Sequence, residues 1–278
     1  MPDGSIFAAA AFQFDWEFFF DFVFTPSPAL IGALAITIYA SVIAQTMGVI
    51  LGVFSALAGM AKNPFLRGVS GVYVWFFRGT PVLVQMFLIY FGTPYLFGVD
   101  LFPASIDAGW FSLRGAVLAG TLALGINEGA YMSEIVRAGI LSVDPGQTEA
   151  AKSLGMTYGQ TMRRIVLPQA LRVIIPPLGN EFNNMLKTTS LMSVIAVEEI
   201  FRVAQAANSA TFKSFEAFFG VALYYLALTT IWSTIQGYIE RRLGVSAAGE
   251  RQKGFFERLV GIRRTPKQPD ELKTLEGH

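Results

Sequence analysis

The sequence predicts an all-α membrane protein of about five transmembrane helices, N-terminus outside and C-terminus inside. Three observations carry that prediction. The 278 residues are 53% apolar and only 15% charged, with a mean hydropathy of +0.48, more apolar than soluble domains usually are. Long apolar runs recur at about 30–60, 82–97, 113–136 and 217–239, with a fifth, more polar run at about 171–197. Lysine and arginine alternate between rich and poor connecting segments. At about 1.5 Å per residue each run is long enough for a hydrocarbon core of roughly 30 Å, except the second, which is expected to begin upstream near Val69. A soluble fold would have to hide several such runs in one core.

The stretch before the first run, FQFDWEFFFDFVF, is aromatic and acidic with no basic leader, so it reads as an external, interfacial segment over 1–29 rather than a cleavable signal peptide. The run over 30–60 is the first span. Orientation follows from the basic residues, which accumulate in cytoplasmic loops. None falls in 1–29, one (Arg114) follows the second span and two (Arg202, Lys213) follow the fourth. Three (Lys62, Arg67, Arg78) follow the first span, five (Arg137, Lys152, Arg163, Arg164, Arg172) follow the third and nine follow Ile239. The loop over 137–170 is therefore assigned to the cytoplasm, within a transmembrane domain over 30–243. The remainder, 244–278, reads as a charged cytoplasmic tail.

Composition also excludes chemistry. There is no cysteine, and the single histidine is His278. Disulfides, thiolate metal sites, zinc chemistry and Cys/His catalysis have no parts to work with. No cofactor, no metal and no nucleic-acid partner is expected.

Between the third and fourth spans lies a polar insert, DPGQTEAAKSLGMTYGQTMRRIVLPQ (144–169). Asp144 as N-cap, Pro145 at the first helical position and Gln147 at capping-box spacing predict a helix start. That helix is expected to run to Leu154, with Gly155 in the left-handed position past its end. Thr157 and Gln160 repeat the cap-and-box spacing, so a second helix is expected to begin at once and continue until Pro168 breaks or kinks it. Ala150 and Ala151 are small enough to let another surface approach, with Glu149 and Lys152 as a polar rim. Two readings fit: a docking element for a partner protein, or a connector between spans. Double capping favours a rigid element.

These residues resemble a known family. Glu149-Ala150-Ala151, Gly155 three residues later, and Ile165-Val166-Leu167-Pro168 after nine more are similar to the EAA loop of permease subunits of bacterial ABC importers. LIGALAIT (30–37), FRGTPVLVQ (77–85), NEGAYMSEIVRAGI (127–140), GQTEAAKSLGM (146–156) and KTTSLMSVI (187–195) resemble its polar amino-acid branch. Thr188 departs from the Asp or Asn expected before the Thr-Ser pair. The resemblance implies a MetI-like permease fold in the bacterial inner (plasma) membrane. It also implies that Glu149, Ala150, Ala151, Lys152 and Gly155 couple to an ATPase, supported by Asp144, Pro145, Gln147, Leu167 and Pro168. Implied partners are two ABC ATPase subunits, an external amino-acid-binding protein and a second permease subunit, all around a lipid bilayer. Independently, the chain has no Gly-Lys dipeptide, so it holds no Walker A loop, and ATP hydrolysis is expected in a separate subunit.

Ionisable residues within spans are functional candidates. Glu134 is expected at the inner interface, paired with Arg137 one turn on. Asn127 and Glu128 in the third span, with Asn180, Glu181, Asn184, Lys187, Thr189 and Ser190 in the fourth, supply acceptors for an ammonium and donors for a carboxylate. Glu128, Asn180 and Glu181 fall at comparable depth and are expected to line one cavity, next to a backbone interrupted at Pro176 and Pro177. The competing reading is that these groups only fix helix packing. Arg78, Gly79, Thr80 and Pro81 are expected to form a gating hinge at the inner end of the second span. The alternative function is an ion-coupled secondary transporter or channel working without an ATPase.

Overall fold

The computed structural model describes residues 14–107 and 112–244. Residues 1–13 of the predicted external segment, and the predicted charged tail from 245 onward, lie outside the described residues. The chain is helical almost throughout. In order come α1 (Trp16–Phe24), α2 (Pro28–Gly59), α3 (Pro64–Gly79), α4 (Val82–Phe97), α5 (Gly115–Leu141), α6 (Pro145–Ser153), α7 (Tyr158–Thr161), α8 (Leu167–Thr188), α9 (Ile200–Thr211) and α10 (Ser214–Arg242). A π-helical turn, Met162–Val166, joins α7 to α8, and a 3-10 turn, Thr189–Ile195, follows α8. Two two-residue strands, Ile106–Asp107 and Ser112–Leu113, pair antiparallel before α5.

α2 and α10 are each long and apolar enough to cross a membrane alone. α5 and α8, with 27 and 22 residues, have comparable lengths of about 40 and 33 Å. The second span is not the continuous helix expected from Val69. The segment folds as two helices, α3 and α4, bent by 104°. The break falls at Thr80-Pro81 because proline lacks the N–H that would carry the α3 ladder onward.

α2 and α5 form the central pair. Their contact face is small: Ala40, Ala44, Gly48, Gly52 and Ala56 on α2 meet Gly125, Gly129 and Met132 on α5. A Cβ at Gly52 would overlap Met132 and the Ser133 backbone. With no hydrophobic drive between helices in lipid, such close approach lets dispersion and hydrogen bonds hold the pair. Ser133 Oγ donates to Ser55 Oγ (3.0 Å) and Ser70 Oγ to the Ser55 carbonyl (2.8 Å), tying α5, α2 and α3 in one polar knot. One apolar cluster, around Met86, Leu124, Met192 and Ile195, fills the space between α2, α4, α5 and the 3-10 turn. A second, around Leu30, Ile200, Ala217 and Val221, joins α2, α9 and α10. α1 lies against α10, with Phe19 stacked on Phe219 and Tyr224 OH donating to the Val23 carbonyl (2.6 Å).

Candidate coupling corner and intramembrane polar groups

α6 begins as the sequence predicts. Asp144 caps it, Oδ1 accepting from the Gly146 N–H at 2.7 Å, and Pro145 occupies the first turn. The expected capping-box role of Gln147 is not formed: Gln147 N–H bonds the Asp144 carbonyl (3.0 Å), and among the described residues its side chain makes no return bond. The short Asp side chain reaches Gly146 instead of the third position. α6 ends in a Schellman motif, with Gly155 N–H on the Lys152 carbonyl (2.9 Å), Met156 N–H on the Ala151 carbonyl (3.1 Å) and Gly155 at φ +77°. Thr157 and Gln160 then form the predicted reciprocal box, Thr157 N–H to Gln160 Oε1 at 2.8 Å.

Pro168 does not break the following helix. The π turn widens the backbone, Leu167 N–H bonding the Met162 carbonyl, and the proline ring is taken up at the start of α8. Leu167 and Pro168 are both exposed. Glu149, Ala150, Lys152 and Gly155 face solvent, but Ala151 is only 4% exposed. Ala151 packs the corner from within, because one helical step of about 100° turns it to the opposite side of α6 from Ala150. The exposed apolar side chains of the corner are Leu154 (83%) and Tyr158 (74%), neither of which local spacing had singled out.

The Arg78–Pro81 segment is the α3–α4 elbow, and its hydrogen bonding is dense. Gln85 Nε2 donates to the carbonyls of Phe77 and Thr80, each at 3.0 Å, and Asn127 Nδ2 donates to the same Phe77 carbonyl (2.9 Å) and to Gln85 Oε1 (3.0 Å). Asn127 is thereby bonded into the elbow. The Arg78 guanidinium lies 5.3 Å from the Tyr131 ring centroid and 3.9 Å from Glu134. Glu134 takes Arg137 Nη2 at 2.8 Å, the pairing expected from their spacing.

The remaining intramembrane set is divided. Glu128 is buried between α2 and α5, Oε1 accepting from Gln45 Nε2 (3.1 Å), and the absence of a side chain at Gly48 makes its room. Asn180 faces α10, where Gln236 Nε2 reaches it at 3.4 Å. Their hydrogen-bond partners thus lie on different helices, and Glu181 lies within coulombic range of Glu128. α8 is not interrupted at Pro176 and Pro177. It stays helical to Thr188, and Gln236 also donates to the Pro176 carbonyl (3.2 Å). The backbone changes instead at Thr189, where the 3-10 turn starts; buried Thr189 donates to the Leu186 carbonyl (2.9 Å), and the Ser190 carbonyl accepts from Ser193. The Thr188 hydroxyl bonds the Asn184 carbonyl (2.9 Å), which closes its hydrogen bonding locally. Asn180, Asn184 and Lys187 share an exposed stripe of α8, and among the described residues no carboxylate lies within ion-pair distance of Lys187.

Sequence reasoning missed Glu199. It is fully buried, and its carboxylate accepts from the N–H groups of Phe201 and Arg202 (2.8 Å each) and from Tyr225 OH (2.7 Å), capping α9. An acidic residue directly before an apolar run was the available signal.

The described residues form a helical bundle around a small-residue core, with two helices long and apolar enough to cross a membrane and one tightly capped, solvent-facing corner. The family model for the binding-protein-dependent transport system inner membrane component matches residues 48–245, and the chain belongs to that family. It is 42% identical over 229 residues to the probable amino-acid permease protein YxeN of Bacillus subtilis (strain 168), covering 82% of this chain and 96% of that one. It is 40% identical over 218 residues to the L-cystine transport system permease protein TcyB of the same organism, covering 78% and 87%. Among solved structures, an amino acid ABC transporter crystallised with histidines superposes with a TM-score of 0.68 at 41% identity, covering 77% of this chain and 94% of that chain. The family is one of inner-membrane components of transport systems.

Proposed function

We propose that this chain is the membrane permease of an ATP-driven importer of polar amino acids in the bacterial inner membrane, and that it works as one of two permease subunits. The observation that carries the reading is the corner at 145–158. It is closed by a Schellman motif on one side and a capping box on the other, and it presents Glu149, Ala150, Lys152, Leu154 and Tyr158 outward. A rigid patch of two large apolar side chains rimmed by charge suits a groove on a partner protein. That partner is an ATPase, supplied in two copies, one for each permease; an external binding protein delivers the amino acid.

Five spans with the N-terminus outside follow from the alternation of basic residues. They put the corner, Arg137, Arg241 and Arg242 on one side of the membrane. α1, with Trp16, Phe20 and Phe24 exposed in one stripe and no basic residue, then rests at the outer lipid interface. The amino acid passes along the exposed stripe of α8, where Glu181, Asn180, Asn184 and Lys187 offer both an acceptor for an ammonium and donors for a carboxylate. Thr189 and Ser190 end that stripe at the 3-10 turn. A second permease facing this stripe closes the path.

The test is reconstitution in proteoliposomes with a candidate ABC ATPase and labelled amino acids. Uptake should require ATP and the ATPase. Uptake in ATP-free vesicles under an ion gradient, with no ATPase present, would replace this reading with that of a secondary transporter.

A further inference from the structure

We infer that Gln85 and Asn127 are positioning residues that clamp the α3–α4 elbow to α5, so that elbow and α5 move as one body between the coupling corner and the transport path. The inference rests on the importer reading above and adds how motion of α6 reaches the spans.

The need for a clamp is built into the backbone. The Phe77 carbonyl would bond the N–H four residues on, but that residue is Pro81, which has none. In a part-buried elbow an unsatisfied carbonyl is costly, and donors from within the protein meet it. Gln85 supplies one from the first turn of α4 and Asn127 supplies a second from α5. Asn127 also holds Gln85 in place through its Oε1 at 3.0 Å, so that one Gln85 N–H meets the Phe77 carbonyl and the other is shared between the Thr80 carbonyl (3.0 Å) and hydroxyl (2.7 Å). One carbonyl thus joins three helices.

The contact continues along a single face of α5. Tyr73 OH donates to the Ile126 carbonyl (2.7 Å), Asn127 meets Phe77, Tyr131 lies under Arg78, and Glu134 takes both Arg78 and Arg137. Residues 127, 131 and 134 are one stripe by their spacing of four and three. Seven residues beyond Glu134 α5 ends, and three more lead into α6. Any displacement of α6 along or about the α5 axis is therefore delivered to the elbow. The elbow cannot lag behind without breaking both Asn127 bonds, to the Phe77 carbonyl and to Gln85 Oε1.

The experiment uses the full chain assembled with its ATPase in proteoliposomes, comparing the wild type with Gln85→Leu, Asn127→Leu and Arg78→Gln. Uptake per ATP hydrolysed should fall roughly tenfold in the two leucine variants, the scale of losing one buried hydrogen bond, while ATP hydrolysis persists. Arg78→Gln should give a smaller fall in the same ratio. An unchanged ratio in Asn127→Leu, or a proportional loss of uptake and hydrolysis, overturns the clamp. Should the leucine variants fail to accumulate, spin labels at the exposed positions Leu88 on α4 and Leu118 on α5 decide it in the native background. Their separation should stay constant through the ATP cycle, and a change would overturn the clamp. Wild-type uptake that needs no ATP sinks the importer reading instead, so the two failures are told apart.

Discussion

The molecule contains two sharp corners built by opposite means. At 153–158 the chain turns in solvent, and every bond that closes the corner is local: Met156 and Gly155 reach back to α6, and Thr157 and Gln160 close on each other. At 78–85 the chain turns by 104° against other helices, and the bonds that close it come from side-chain amides, one of them 50 residues away in sequence. The difference follows from the surroundings. In water the free carbonyls of a helix end cost little, so local capping is enough to fix the direction of the chain. Away from water they must be satisfied by the protein itself, and the donor has to be brought from a neighbouring helix. One corner is thereby independent of the rest of the fold, and the other is part of it.

That contrast gives an order of effects. The largest is expected at the elbow: Asn127→Leu removes two part-buried hydrogen bonds, to the Phe77 carbonyl and to Gln85 Oε1, and should cost about 1–3 kcal/mol of stability. In thermal unfolding of the detergent-solubilised protein it should lower the midpoint clearly. Next comes Gly155→Val, which places a β-branched residue at φ +77° and should cost about 1–2 kcal/mol. Its effect should stay local, appearing as faster amide exchange in α6 and α7 with little change in the midpoint for the spans. A global fall in the midpoint would show that the outer corner is not independent. Thr157→Ala should have a similar but smaller effect, about 1 kcal/mol or less, confined to α7.

The smallest effect concerns α1. The ion pair and hydrogen bond from Lys213 (2.6 Å) hold the Asp15 carboxyl below its usual range, helped by the Phe18 N–H. A lowered value in the folded protein means that this contribution is present above the ordinary aspartate range and is lost as pH falls through the folded value. Amide exchange at Phe18 should therefore quicken only in acid, and in Asp15→Asn it should be fast at every pH.

The same contrast explains what the sequence let one read. Asp144, Gly155, Thr157 and Gln160 are legible because capping motifs act within a few residues of themselves, and each stands where its spacing predicts. Positions of the long helices are legible for the same reason, since apolarity is a local property. The elbow is half legible: Pro81 marks a break, but nothing near it says that Asn127 will fill the vacancy, and the residue reads equally well as part of a polar path. Helical periodicity alone could have turned Ala151 inward, but small size drew attention to it instead. The Pro176-Pro177 pair misleads because α8 runs through it unbroken to Thr188, where local rules would interrupt the helix. Glu199 stayed hidden because its partner Tyr225 is 26 residues away.

The most direct measurement is hydrogen exchange on the reconstituted permease with and without its nucleotide-bound ATPase. Binding should protect the amides of 149–158, the exposed corner, more than those of any other segment on the same face. If that corner exchanges at the same rate with and without the ATPase while protection falls elsewhere on the chain, the corner is not where ATP-driven motion enters.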